Sequence, residues 1–258
     1  KIDKSNLYLA GGIFANIKLN QKIANLQKVK SCYIFPNMGD GGLAAGCALN
    51  VYFDKNKNAI KKKHSMYLGS SHDISLKQFV INDQFKIIPY KNLFKFIATE
   101  LNNNKIFGIF QGKMEYGPRA LGNRSIICSP KNKIINETLN IKLKRSDFMP
   151  FAPCVLNEDF EYFFESNMKA ESFEHMTFTC NTKKICEELA PAIVHIDKTA
   201  RPQTVFKDKN LFLFKVLEEF KKISGIGMLI NTSFNIHEEP IIESYENALK
   251  SFKISSLD

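Results

Sequence analysis

Cationic and amide side chains are gathered into a few stretches of this chain that glycine and proline punctuate, and their types suit the binding of anions. In Tyr116-Gly117-Pro118-Arg119-Ala120-Leu121-Gly122-Asn123-Arg124-Ser125, Arg119 and Arg124 stand five residues apart just before a strand-like run. Each guanidinium fork can bond two oxygens of a phosphate or carboxylate, although a surface turn would use the same residues. Lys142 and Arg145 share one face at the end of a helical pattern, where they suit either a phosphate or the helix's own C-terminal dipole. His195 and Asp197 would point to one side of a strand and could couple, with Arg201 and Gln203 extending the polar run. Asn231, Thr232, Ser233 and Asn235 follow a short apolar strand, as a cradle for phosphate or ribose oxygens or as an Asx turn.

Two earlier stretches say less when taken alone. Gly11 and Gly12 end a strand-like segment and would let backbone approach a ligand, and Asn16 one turn later could bond a purine or ribose. Asp40, within Gly39-Asp40-Gly41-Gly42, could ligate a metal or cap the helix that follows.

The elements that must position these residues alternate between strand and helix. Asn6–Ala10 and Cys32–Phe35 read as strands, each followed by a glycine turn and a helical pattern. Ile13, Ile17, Ile23 and Leu26 are expected along one face of the first helix, and Leu43–Tyr52 forms the second. The polar run 54–63 reads as a surface excursion or hinge, and regular patterning resumes near residue 84. Helices are expected at Leu93–Leu101, Ile134–Lys142 and Phe212–Ile223, with a last one capped by Ser244. Strands are expected at Ile106–Phe110, Arg124–Cys128, Ala192–Ile196 and Met228–Ile230. The extended Pro150-Phe151-Ala152-Pro153 stretch could form one wall of a pocket. The fold class is therefore α/β, with mixed α+β features, and the motifs are expected at the carboxyl ends of strands.

Composition bounds the alternatives. The chain has 258 residues, 44% hydrophobic and 24% charged, which excludes a disordered tail, a collagen-like fibre and a disulfide mini-protein. No run of 18 apolar residues could cross a membrane. The six cysteines form no CxxC pair or Cys/His cluster, so free thiols in a reducing cytoplasm are expected. The start, KIDKSNLYLA, lacks an initiator Met and a signal pattern, which suggests a piece of a longer protein. The formal net charge of +10 fits anionic substrates, or RNA if the chain is a basic binding module without catalysis. The abundance of Lys throughout the chain accounts for it better, since no dense Arg/Lys tract appears beyond Lys61, Lys62 and Lys63, which makes nucleic acid the less favoured partner.

At the strings LAGGIFAN, GDGGLAAGCAL, IFGIFQGKMEYGPRALGNRSI, LNIKLKRSDFMPFAP, PAIVHIDKTARPQTV and LINTSFNIHEEPI, the sequence resembles the C-terminal half of the NodU/CmcH family of O-carbamoyltransferases. The resemblance implies two parts. Residues 1–83 would be the closing part of an actin/sugar-kinase-like carbamoyl transfer domain, and residues 84–258 a YrdC-like domain with a twisted mixed sheet. The YrdC-like part would form carbamoyl adenylate from carbamoyl phosphate and ATP with Mg²⁺. The transfer part would pass the carbamoyl group to a hydroxyl of a sugar or natural-product acceptor with the help of iron. By the same resemblance, Lys142, Arg145, His195 and Arg119 would be catalytic. Arg124, Arg201, Asn231, Thr232, Ser233 and Asn235 would bind the nucleotide or carbamoyl group, as Gly11, Gly12 and Asn16 would in the transfer part. Asp40 would be a metal ligand, its histidine partners lying in an HxxxH segment upstream that this chain does not contain. Met149 stands where members often carry Arg, and Lys198 where they often carry Gly.

Overall fold

The computed structural model describes residues 5–58, 65–72, 88–144 and 151–258. The boundary expected between residues 83 and 84 lies outside them.

The first segment is a parallel strand pair with two helices. Strand β1 (Ser5–Leu9) pairs with β2 (Val29–Ile34), so that Leu7 lies beside Cys32 and Leu9 beside Ile34. A 3-10 turn (Gly12–Ala15) and helix α1 (Ile17–Ala24) connect them. The expected continuous helix through Ile13 and Leu26 does not form. Asn16 takes an extended conformation and caps α1 by accepting from Leu19 N at 3.1 Å, which breaks the helical path after Ala15. Ile13 and Leu26 are consequently 67% and 58% exposed. A second 3-10 turn (Asp40–Gly42) leads into α2 (Leu43–Lys55), which runs three residues beyond its expected end.

Helix α3 (Tyr90–Asn102) and strand β3 (Phe107–Phe110) open the larger unit. Strand β4 (Arg124–Cys128) and helix α4 (Ile134–Lys142) have the bounds that the sequence predicts. Next come β5 (Ala152–Leu156), α5 (Phe160–Phe163), β6 (Phe164–Glu165), β7 (Cys180–Thr182), α6 (Lys184–Leu189), β8 (Thr199–Ala200) and β9 (Gln203–Val205). Helix α7 (Leu211–Ser224), strand β10 (Met228–Ser233) and helix α8 (Tyr245–Ser255) complete the chain. Ser244 caps α8 as expected, accepting from Asn247 N at 3.3 Å.

The main sheet has the order β3-β4-β10-β5-β9, antiparallel except for the parallel pair β5–β9. Strands β4 and β5 are buried at every residue, as covering of both sheet faces requires. Helix α7 packs on α3 and turns Leu213, Phe214, Val216, Leu217 and Phe220 inward. It is capped by Asn210 at one end and by left-handed Gly225 at the other. A smaller antiparallel sheet joins β6, β7 and β8.

The expected strand Ala192–Ile196 is a correction. Pro191 starts a 3-10 turn that ends at Ile193, and residues 195–199 close a tight loop through His195 N to Thr199 O at 2.8 Å and Lys198 N to His195 O at 2.9 Å. Ala192 and Ile193 are buried from a turn, and a short apolar run cannot distinguish that from a strand. Lys198 takes φ +57°, the left-handed region where glycine is relaxed.

The first segment is fastened to the larger unit by buried polar contacts. Asn20, fully buried, donates from Nδ2 to Phe14 O at 2.7 Å and to Thr177 O at 2.8 Å. Tyr116 Oη donates to Gly41 O at 2.5 Å and packs its ring edge-on against Phe35. Replacing Asn20 by Ala leaves two carbonyls without their donor. Asn20→Ala should lower the unfolding free energy by about 1–3 kcal/mol in urea denaturation; an unchanged midpoint would show that this bridge does not hold the segments together.

Candidate active site

Strand direction decides where the polar loops meet. Because β10 runs antiparallel to β4 and β5, its carboxyl end lies beside their amino ends: Ser233 pairs with Ser125, and Asn231 with Ala152. Strand β9 runs parallel to β5 and starts at the same edge, with Gln203 beside Cys154. The 231–235 loop, the 116–124 loop, Arg201 and Phe151 therefore converge. Strands β3 and β10 contribute carboxyl ends, as expected for the 116–124 and 231–235 loops, whereas Arg201 and Phe151 stand at the amino ends of β9 and β5.

A cavity of about 260 Å³ opens there. Its lining includes Arg119, Arg201, Asn231, Thr232, Ser233 and Asn235, with Phe151, Ala152 and Met176 as apolar walls. Phe151 and Ala152 thus supply the expected wall. Arg119 makes no hydrogen bond or ion pair among the described residues, and burial holds its pKa below the usual arginine value. A half-buried guanidinium without a partner is available to an anion.

The loop that carries Arg119 is held by a residue that sequence reasoning missed. Glu115 is buried, and its Oε1 accepts from Leu121 N at 2.6 Å, Asn123 N at 2.8 Å and Arg124 N at 3.3 Å. Around this carboxylate the chain turns tightly at Gly122, with φ +110° and a Cβ position that would fall 2.7 Å from Leu213 Cδ2. No side chain fits there. Asn210 closes the far side, donating to Leu121 O at 3.3 Å and Asn123 Oδ1 at 3.1 Å. Tyr67 Oη donates to Leu121 O at 2.9 Å. The acid immediately before the Arg/Gly string was the one available signal for Glu115.

Several expected site residues lie elsewhere. Arg124 is fully buried and donates to the carbonyls of Gln111 at 2.7 Å, Gly112 at 3.3 Å and Asn123 at 3.0 Å while stacking 4.0 Å over Phe110. It latches the loop from behind and does not line the cavity. Lys142 donates to Ser256 O at the end of α8, because α4 runs toward the chain's last residues. His195 faces a separate groove with Lys133, Glu137 and Glu187, its Nδ1 3.2 Å from Thr199 Oγ1. Its expected pairing with Asp197 on a strand face gives way to a loop in which Asp197 Oδ1 accepts from Thr199 Oγ1 at 2.6 Å and Oδ2 pairs with Lys18. Asn16 is occupied as a helix cap. Arg145 and Met149 lie outside the described residues.

Gly11, Gly12 and Asp40 do come together, around a second cavity of about 590 Å³ lined mainly by Tyr8, Tyr33, Phe35, Met38 and Leu43. Gly11 takes φ +126° and donates its N–H to Met38 O at 2.7 Å, which joins the two glycine turns.

Comparison with known proteins agrees with the motifs. The family model described as Carbamoyltransferase C-terminus matches residues 98–258, and Carbamoyltransferase N-terminus matches residues 1–49. The chain belongs to the carbamoyltransferase family. A protein of Methanocaldococcus jannaschii, MJ1058, is 36% identical over all of this chain, which spans 43% of that protein. The nodulation protein NolNO of Sinorhizobium fredii is 33% identical over 98% of the chain and 38% of its own length. The chain thus spans less than half the length of these relatives, and the nodulation protein agrees with the NodU/CmcH type. A solved HypF structure in the phosphate- and nucleotide-bound form overlaps 66% of the chain and 21% of its own, with 20% identity and a TM-score of 0.48.

The loop at His195 predicts an acid response in the stability of this chain. Burial lowers the His195 pKa to about 4, outweighing the nearby Asp197 carboxylate, which raises it. Burial also pushes the Asp197 carboxyl up, but hydrogen bonds from Lys18 and Thr199 outweigh it and hold the value at about 2. In the unfolded chain His195 takes up its proton near pH 6.5; in the folded chain it does so only near 4. The neutral histidine's contribution is therefore complete above pH 6.5 and is lost as pH falls toward 4. His195→Gln should flatten the fall of melting temperature across that window; an unchanged slope would show that His195 does not carry it.

Proposed function

We propose that this chain forms carbamoyl adenylate, as the activating part of an O-carbamoyltransferase whose acceptor is a hydroxyl of a sugar or natural product. The observation that carries this reading is Arg119: a guanidinium without a hydrogen-bond or ion-pair partner among the described residues, on a loop clamped by Glu115, in a cavity shared with Arg201 and the Asn231–Asn235 loop. Family membership supplies the carbamoyl chemistry, and the cavity supplies a place for an anion.

In this reading carbamoyl phosphate reacts with water and leaves carbamate and inorganic phosphate. A carbamate oxygen then attacks the α-phosphorus of ATP, the α–β anhydride bond breaks, and pyrophosphate departs. The chain's part is placement and fixed positive charge: Arg119, and Arg201 beside it, face the oxygens on which charge accumulates. ATP would enter as its Mg²⁺ complex, and Glu238 is the one carboxylate lining the cavity among the described residues. Phe151 and Met176 limit the access of water to the labile mixed anhydride.

The finer architecture follows the resemblance: a YrdC-like unit over 84–258, and before it the closing part of an actin/sugar-kinase-like unit. Iron does not fit the residues present around Asp40. That cavity's lining has one carboxylate and no histidine, and no three His, Cys, Asp or Glu side chains cluster among the described residues. The free cysteines, five of the six buried, suit a reducing compartment such as the cytoplasm. No described helix is long and apolar enough to cross a membrane.

Carbamoyl-phosphate-dependent exchange of pyrophosphate into ATP tests the reading. Arg119→Ala should lower the exchange kcat/KM by about 10–100-fold, the scale of one hydrogen bond to a charged group. Arg119→Lys should recover only part of it, since an ammonium lacks the fork. Full exchange in Arg119→Ala would overturn the assignment, and salt-sensitive RNA binding without nucleotide binding would favour a non-catalytic module instead.

A further inference from the structure

Asn231, which lines the cavity, has its amide nitrogen engaged by the chain and its oxygen left over, the reverse of the donor role that its type suggests. Gln203 Nε2 donates to Leu121 O at 2.9 Å, which leaves Gln203 Oε1 to accept from Asn231 Nδ2 at 2.7 Å. The same Nδ2 donates to Ala120 O at 3.3 Å. A backbone carbonyl can only accept, so turning either side-chain amide over would set oxygen against oxygen. Both amides are thereby fixed by the chain itself. With its N–H groups engaged, Asn231 is 1% exposed, and its buried Oδ1 has no hydrogen-bond partner among the described residues.

Asn235, four residues later in the same loop, repeats the arrangement. Its Nδ2 donates to Glu239 O at 2.7 Å and Ile236 O at 3.1 Å, and its Oδ1 is likewise buried without a partner among the described residues. Both asparagines line the cavity that holds Arg119. Buried polar atoms in folded proteins are nearly always paired, so two orphaned acceptors at one cavity point to a ligand that brings N–H donors.

We propose that Asn231 Oδ1 and Asn235 Oδ1 accept the two N–H groups of the substrate's carbamoyl NH₂. This rests on the reading of the cavity as the carbamoyl phosphate site and adds the source of its selectivity. Arg119 engages the phosphate, which carbamoyl and acetyl phosphate have in common. Discrimination between them falls to the other end of the molecule, where acetyl phosphate carries a methyl group. A methyl would leave both amide oxygens buried and unpaired, and sites built to bond a substrate N–H reject analogues lacking it strongly.

The test compares pyrophosphate exchange by this chain with carbamoyl phosphate and with acetyl phosphate. Wild-type kcat/KM should favour carbamoyl phosphate by about 10³-fold or more, within the range such sites reach. Asn235→Ala, whose hydrogen bonds are local to its own loop, should cut that ratio by about 10-fold or more, and Asn231→Ala should cut it further. Absence of exchange with either acyl phosphate would overturn the functional reading and this one with it. Equal use of both compounds by wild type, or an unchanged ratio in both variants, would overturn only the role given to Asn231 and Asn235.

Discussion

One carboxylate oxygen, Oε1 of Glu115, accepts three backbone N–H groups from the turn between Leu121 and Arg124. A ten-residue loop rich in glycine has many conformations, and that clamp selects one. Arg124 reinforces it from below, its guanidinium tied to loop carbonyls and stacked on Phe110. Gly122 provides the positive φ that the turn demands, where any Cβ would strike Leu213. The two arginines of the string therefore have opposite roles: Arg124 is committed to holding the loop, and Arg119 lines the cavity with no hydrogen-bond or ion-pair partner among the described residues.

The second constraint is strand direction. Antiparallel pairing places the exit of β10 between the entries to β4 and β5, and the parallel pair β5–β9 brings Arg201 to the same edge. Residues more than a hundred positions apart meet there without any contact local in sequence. A polar chain runs inward from the edge, from Asn231 through Gln203 to Leu121 O and on to Asn210 and Tyr67. It binds the cavity loops to the helix α7 cap, so the amide orientations at the cavity depend on the packing of the core.

Much of this was legible in the sequence where a segment obeyed one period and ended on clear punctuation. Arg124–Cys128 and Ile134–Lys142 carry their own bounds, and Met228–Ile230 marks a strand that extends into the polar loop it serves. The family resemblance groups Arg119, Arg201 and Asn231–Asn235, and these residues line one cavity. What stayed illegible is direction. Type alone cannot say that the Arg124 guanidinium turns into the protein, that Lys142 reaches the far end of α8, or that Asn231 presents oxygen and not nitrogen. Those outcomes depend on carbonyl positions fixed by the folded chain. At Ala192–Ile196, an apolar run of strand length is buried as a turn because proline starts it and a left-handed Lys198 ends it.

The most direct test is crystallographic: crystals of the chain soaked with carbamoyl phosphate and a non-hydrolysable ATP analogue. Density for a phosphate against the Arg119 guanidinium, with the amino end of the carbamoyl group at the Asn231 and Asn235 amide oxygens, is the expected result. Ligand density confined to the Asp40 cavity or to the groove at His195, with the Arg119 cavity holding only water, would contradict it.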